Sequence, residues 1–415
     1  MEVLVVDARG PGGLDEAVRL VSKRPYSLEQ YLSSARRVVE DVKSRCYEAV
    51  REYSERFDGI SFEDPIIDAG EAGSYYREVS SGRLRAIRES IRRVRLFQEE
   101  IKPKERVEVS VGWVEWAPIG RVGVYVPGGR HPYPSTAIMT VVPAVVAGVG
   151  EVFVSTPPCR DCGGLKANPL TVVASFEAGA DAVIAVGGPQ AVAAMAFGCE
   201  PIPRVDKIVG PGSGYVQAAK LLVSSEVGID MIAGPTELAA VAGCSSESSR
   251  VALELAAQAE HGPDSMVVLL TPCEDLANEV SRILRRVDGS GGLGRAVIVI
   301  VRDFDDSWRL LRAIAPEHLY VDREALQALT GGTPPAGVVS VDVPTAFLDY
   351  VAGPSHVLPT GGAARWRSGL SVYDFLRPVA FVEKFSEDAA LTALELAEGE
   401  GFELHASSLK ARVGM

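Results

Sequence analysis

Histidine is scarce in this chain, five in 415 residues, so the surroundings of each can be read singly. Glu317 and His318 are adjacent in Ala315-Pro316-Glu317-His318-Leu319. A carboxylate beside an imidazole, on a turn feeding a strand, offers one base to activate water and another to move a substrate proton. Neighbouring side chains on extended backbone point to opposite faces, so one faces a site and the other the interior; an ordinary strand end with two polar residues accounts for the pair as well. Gln258 and His261 lie three apart at the end of a helical pattern, in Gln258-Ala259-Glu260-His261-Gly262-Pro263-Asp264-Ser265. That spacing lets both side chains reach one metal ion, while His261 so near a helix end also reads as a cap or a solvated residue. The lack of an H-E-x-x-H pattern removes support for a zincin-type hydrolase. Asp349 and His356 share an irregular Gly/Pro-rich stretch, 349–362, of the kind that carries function more often than core. Glu400 and His405 stand on either side of Gly401 and by themselves read as a solvated helix end, and His131 has no evident role.

Three glycine turns follow apolar strands: Tyr125-Val126-Pro127-Gly128-Gly129, Val186-Gly187-Gly188-Pro189-Gln190, and Val209-Gly210-Pro211-Gly212-Ser213-Gly214. Ligands of open α/β sheets sit at the carboxyl ends of strands, and Pro189 suits the first turn of a helix. Each turn alone is also ordinary tight-turn geometry; together they point to a nucleotide or phosphate site without naming a cofactor. Gly289-Ser290-Gly291-Gly292-Leu293-Gly294 fits G-x-G-x-x-G, but a helix precedes it and a strand follows, the reverse of what places amides on a pyrophosphate. We read it as a helix-to-strand loop. Cys159 and Cys162 form one C-x-x-C without the further ligands a zinc site needs, a loop pair or an opportunistic disulfide.

The elements that must position these residues follow from periodicity. The spacing predicts one helix from Ser27 to Gly59, opened by the capping box Ser27-Leu28-Glu29-Gln30, and a second from Leu84 to Glu100. Alternation through Val107, Val109, Val111 and Trp113 predicts a strand with one wet face. From Arg121 onward, all-apolar runs at 122–126, 152–154 and 182–186 alternate with helices at 136–149, 169–178 and 190–197. A second series has strands at 238–241, 266–270 and 296–301 and helices at 248–258, 275–287 and 306–314; the last forty residues are helical with a short tail. Continuous apolar strands interleaved with helices mean parallel strands buried on both faces, hence an α/β fold with two α/β units.

Composition excludes some classes. With 23% charged and 47% hydrophobic residues the chain is globular and long enough for two or three domains. A net charge of -13 argues against a nucleic-acid surface, which needs a basic field. The longest apolar run, 133–149, is interrupted by Pro134 and Pro143 and falls short of the ~20 residues of a bilayer span, so it reads as a buried helix. No basic segment precedes an apolar stretch at the N-terminus, and six cysteines are too dilute for a secreted disulfide scaffold; the expectation is a cytoplasmic protein, not bound to membrane.

Taken together, the ordered motifs resemble the histidinol dehydrogenase family. The resemblance runs through Arg51-Glu52-Tyr53-Ser54-Glu55-Arg56-Phe57-Asp58, the Tyr125–Gly129 turn, Gly187-Gly188-Pro189-Gln190-Ala191, Val205-Asp206-Lys207-Ile208-Val209-Gly210-Pro211-Gly212, Ala233-Gly234-Pro235-Thr236-Glu237, the Gln258–Ser265 run, Pro316-Glu317-His318-Leu319 and His356-Val357-Leu358-Pro359-Thr360. It implies a zinc-dependent, NAD-linked oxidation of L-histidinol to L-histidine. By this resemblance Gln258, His261, Asp349 and His405 would hold zinc, Glu317 and His318 would be the catalytic pair, and Tyr125, Gln190 and Ser213 would contact NAD. Thr236, His356 and Glu400 would contact the substrate in a pocket that Gln258, His261, His318, Asp349 and His405 also line. The tail bearing Glu400 and His405 would come from the partner subunit of a homodimer. The implied fold is two Rossmann-like parallel-sheet domains, one inserted in the other: residues 1–120 a helical segment and the start of the first domain, 121–236 the inserted NAD-side domain, 237–375 the zinc-side remainder, and 376–415 a dimer-forming tail. The chain departs from the family pattern with Thr236 in place of Ser, with Ser213 in place of a longer Asn, and with Gly353-Pro354-Ser355 where Gly-Thr-Asn is common.

Overall fold

The structure, a computed structural model, describes residues 1–23, 27–128, 131–288, 292–329 and 332–413. They form two compact units, one of Met1–Lys102 with Ile119–Phe375 and a smaller one of Pro103–Pro118 with Leu376–Met415. Gly129 of the first glycine turn and Gly289 to Gly291 of the disfavoured fingerprint lie outside the described residues.

Two six-stranded sheets organise the larger unit. The first runs Val3–Asp7, Arg295–Ile300, Met266–Thr271, Glu237–Val241, His318–Val321, Val338–Val341, with every neighbouring pair parallel. Its central strands are apolar along most of their length, Met266 to Leu270 being a continuous buried apolar run. Both faces are therefore covered, one by the helices Ser248–Ala259 and Glu274–Leu284, the other by Gly13–Ser22 and Phe304–Ile314. The second sheet runs Ile66–Ile67, Ala182–Ile184, Glu151–Ser155, Arg121–Tyr125, Lys207–Val209, Gly228–Ile229, parallel except for the first, antiparallel pair. Its strands all lie in sequence between Val3–Asp7 and Glu237–Val241 of the first sheet. The apolar run at 133–149 forms the helix Pro134–Ala147, buried almost all round, and no described helix is long and apolar enough to cross a membrane.

Several local expectations change. The single helix expected from Ser27 to Gly59 is two, Glu29–Arg45 and Tyr47–Asp58, broken at Cys46, whose φ of 54° lies outside helical geometry. Cys46 is disulfide-bonded to Cys199, which follows the helix Gly188–Phe197. Cys159–Cys162 and Cys244–Cys273 are paired as well, so none of the six cysteines is free. The strand Val3–Asp7 is not among the sequence-predicted elements; it is too short for its period to stand out and exists because Arg295–Ile300 pairs with it.

The smaller unit is an antiparallel three-stranded sheet followed by two helices. The stretch expected as one strand around Val107–Trp113 turns at residues 110–111, giving Arg106–Val109 and Gly112–Pro118, and Leu376–Val382 pairs with the latter. Trp113 stacks on Phe381 at 4.8 Å while the Arg106 guanidinium covers its ring. The helices Glu387–Gly399 and Glu403–Val413 carry Glu400 and His405 at or just past their ends and within the second, respectively.

Candidate active site

The amino ends of the first sheet's strands gather the chemistry. The register pairs Leu238 with His318, so Thr236 and Glu237 lie beside Glu317 and His318. Both members of the pair are buried. The Glu237 amide donates to Glu317 Oε2 at 3.1 Å and the Thr236 hydroxyl donates to the same carboxyl. Burial nevertheless holds the Glu317 carboxyl well above the usual carboxylate range, because removing a charge from water outweighs the two donors. Burial also lowers His318 to about 4; the charge of Asp349 opposes this, while His356 and His261 add to it. At neutral pH His318 is thus an uncharged imidazole, able to accept a proton, and its Nδ1 has no hydrogen-bond partner.

Asp349 joins the remaining groups. It lies in the short helix Thr345–Tyr350, whose first amide and the Thr345 hydroxyl both donate to Glu254 Oε2 at 2.8 Å. Glu254 and Gln258 are one helical turn apart on Ser248–Ala259, and Gln258 Nε2 donates to Asp349 Oδ2 at 3.2 Å. His318 Nε2 lies 3.7 Å from Asp349 Oδ1. His356 Nδ1 donates to the Asp349 carbonyl at 2.8 Å, which leaves Nε2 to accept from the Thr136 hydroxyl at 3.1 Å. Behind it, Ser355 Oγ donates to the Met139 carbonyl, tying this loop to the helix Pro134–Ala147. His261 is exposed at the helix end beside Gln258, and its amide donates to the Gln258 carbonyl.

A dication fits this donor set. Gln258 Oε1 is buried without a partner while its amide nitrogen is held by Asp349, so it is an open acceptor of the kind that a cation would satisfy. An amide oxygen, a carboxylate and imidazoles suit a borderline metal such as zinc. Among the described residues no three His, Cys, Asp or Glu side chains form a metal-ligating group. His405 belongs to the smaller unit, where it is exposed beside Phe402. Glu400 is likewise exposed there.

The residues expected to contact NAD lie at the carboxyl ends of the second sheet's strands. Tyr125 ends Arg121–Tyr125, is buried, and is pushed up to about 12 by that burial; its hydroxyl accepts from the Gly188 amide at 3.0 Å. Gln190 lies in the first turn of the helix Gly188–Phe197, which follows the strand Ala182–Ile184; it is fully buried, and neither its amide oxygen nor its nitrogen has a partner. Gly188, with a φ of +68° that favours glycine, lies where the Tyr125 hydroxyl and Gln190 meet; a Cβ there would come within 2.5 Å of Gln190 Oε1. Ser213 is exposed immediately before the helix Gly214–Val223 and makes no cap hydrogen bond, which leaves that helix end open to an anionic group.

Comparison with known proteins decides the family. The histidinol dehydrogenase family model matches residues 21–413. The chain belongs to the histidinol dehydrogenase family. It is 38% identical to the histidinol dehydrogenase of Sulfurisphaera tokodaii over 400 residues, covering 95% of this chain and 98% of that one. Against the histidinol dehydrogenase of Methanopyrus kandleri the identity is 40% over 427 residues, covering 96% and 97%. The crystal structure of histidinol dehydrogenase from Elizabethkingia anophelis superposes with a TM-score of 0.87 at 28% identity, covering 100% of this chain and 98% of that one. Membership in this family makes the chain an enzyme, an oxidoreductase, with the α/β parallel-sheet architecture read from its apolar runs.

The cluster around Asp349 also contains two residues that the sequence alone does not mark. Thr136 was visible only as part of a helix start, Pro134-Ser135-Thr136, and its contact with His356 spans 220 positions. Glu254 had one usable signal, its one-turn spacing from Gln258.

Proposed function

We propose that the chain catalyses the zinc-dependent, NAD-linked, four-electron oxidation of L-histidinol to L-histidine through histidinal, the last step of histidine biosynthesis. The juxtaposition of Asp349 with Gln258, His318 and His356 carries this reading, because it sets a cation's donors beside an uncharged base. Gln258, His261 and Asp349, with His405 of the partner subunit, would hold zinc; bound there, the metal supplies a Lewis acid that anchors the substrate's amine and imidazole. Tyr125, Gln190 and Ser213 would contact NAD, which supplies the hydride acceptor for each of the two oxidations. This assigns residues 121–236 to the cofactor side and 237–375 to the zinc side.

His318 takes the hydroxyl proton as the alcohol is oxidised to the aldehyde, its neutral imidazole being ready to accept. Glu317 then removes a proton from water as the water oxygen bonds to the aldehyde carbon, giving the anion of the hydrate, whose loss of a hydride yields the carboxylic acid. The raised affinity of Glu317 for a proton makes it a better base, once ionised, than an exposed carboxylate. Thr236 and Glu400 contact the substrate, and His356, fixed by Asp349 and Thr136, forms one wall of the pocket. Exposed apolar residues in the smaller unit, Leu404 at 85%, Val382 at 72% and Leu396 at 64%, support a tail covered by a second copy in a homodimer. The enzyme works in the cytoplasm on a small molecule, with no part for nucleic acid or membrane. The test is NADH formation from L-histidinol by purified enzyme with and without a chelator: activity abolished by chelator and restored by zinc supports the reading, and no NADH from zinc-loaded enzyme contradicts it.

A further inference from the structure

A buried ion pair outside the described site ties its two sides together. Lys220 and Asp230 are in contact at 2.5 Å with both side chains fully buried. Taking two charges out of water is costly, and such a pair rarely stabilises a fold more than apolar residues would. Its polar atoms are spent on backbone. Lys220 Nζ donates to the Gly210 carbonyl at 2.8 Å, the Gly210 amide donates to Asp230 Oδ2 at 2.7 Å, and the Met231 amide donates to Asp230 Oδ1 at 2.6 Å. One turn before Lys220 on the same helix, Gln217, also fully buried, accepts from the Ala233 amide at 2.9 Å.

These bonds reach two places at once. Gly210 opens the turn leading to Ser213 and is pressed against Tyr125, since a Cβ there would come within 2.2 Å of the Tyr125 carbonyl oxygen. Its φ of +114° admits glycine and little else. Residues 231–233 lead into Gly234-Pro235-Thr236-Glu237, where Gly234 donates to Thr360, the Thr236 hydroxyl and the Glu237 amide donate to Glu317, and Glu237 Oε1 accepts from Gly361. The helix Gly214–Val223 thus grips the cofactor-side turn with Lys220 and the substrate-side loop with Gln217, and Asp230 closes the two grips into one unit.

We infer that Lys220 and Asp230, with Gln217, are positioning residues that hold the Gly210–Ser213 turn and the 231–237 loop in fixed relation, so that cofactor and substrate meet in reacting geometry. The inference rests on the function proposed above. Neither charged side chain touches substrate or cofactor; both act through Gly210 and through the loop that delivers Thr236.

The test uses the full-length, zinc-loaded enzyme. In Lys220→Met/Asp230→Asn the charges are removed together, so no lone ion stays buried, and Asn keeps one acceptor for the backbone. We expect cooperative unfolding and full zinc content, KM for NAD raised about tenfold, and a matching rise in the calorimetric Kd for NAD. Gln217→Leu cuts only the loop grip: KM for histidinol should rise while Kd for NAD stays at the wild-type value. Should the double variant fail to fold, Gln217→Leu with Lys220→Gln, which keeps a polar group near Gly210, repeats the comparison. A folded double variant or Lys220→Gln with wild-type KM and Kd for NAD overturns the inference, as does Gln217→Leu with unchanged KM for histidinol. Wild-type enzyme that forms no NADH from histidinol would instead overturn the underlying function, so the two failures are distinguishable.

Discussion

Gln258 gives its side-chain nitrogen to Asp349 Oδ2 at 3.2 Å and keeps its side-chain oxygen buried without a partner. A buried acceptor left open in this way is costly unless something fills it, and the adjoining residues are an imidazole and a carboxylate. Gln258→Ala and His261→Ala are therefore expected to lose zinc and activity together, which elemental analysis of the purified variants checks. A fully zinc-loaded, active His261→Ala enzyme would remove His261 from the ligand set.

Glu317 and His318 do different work in this account, so their substitutions should separate. In Glu317→Gln the first oxidation should survive better than the second, and single-turnover measurement should show histidinal oxidation falling further than histidinol consumption. An equal loss in both would contradict the division of labour.

The pH profile of the second oxidation follows from the burial of Glu317. Its carboxyl is raised, so the ionised base is populated only above that raised value, and the rate should climb with pH through a range higher than an ordinary carboxylate's. Rapid-mixing kinetics starting from histidinal would show this acid limb. Glu317→Gln should flatten it, whereas a limb preserved in that variant would belong to another group.

Much of the fold was legible because its causes are local. The run Met266 to Leu270 is apolar at every position and, at five residues, has strand rather than helix length, as a strand buried on both faces does, and the helices between such runs keep a 3.6-residue period. The break at Cys46 was not legible, since the helical period continues across it and the disulfide to Cys199 spans 153 positions. In the site, adjacency on one element exposed Glu317 with His318 and Gln258 with His261. Thr136 on His356 and Lys220 on Asp230 depend on how separate segments fold together, and no spacing rule marks them.

Glu254 holds the helix that carries Asp349 through two bonds from Thr345. Glu254→Ala should cost about 1.5–3 kcal/mol of stability, the range for hydrogen bonds to a charged group, and should weaken zinc binding as Asp349 loses its support. Thermal denaturation and zinc titration measure the two effects, and Glu254→Gln, which keeps an acceptor, should recover most of both. Zinc affinity unchanged in Glu254→Ala would show that Asp349 is placed without it.

The central claim is that one site carries out both oxidations. The most direct measurement counts NADH formed per L-histidinol consumed by zinc-loaded enzyme with NAD in excess. The account predicts two NADH and one L-histidine for each histidinol, with no free histidinal accumulating. One NADH per histidinol with histidinal released, or consumption without NADH, would contradict it.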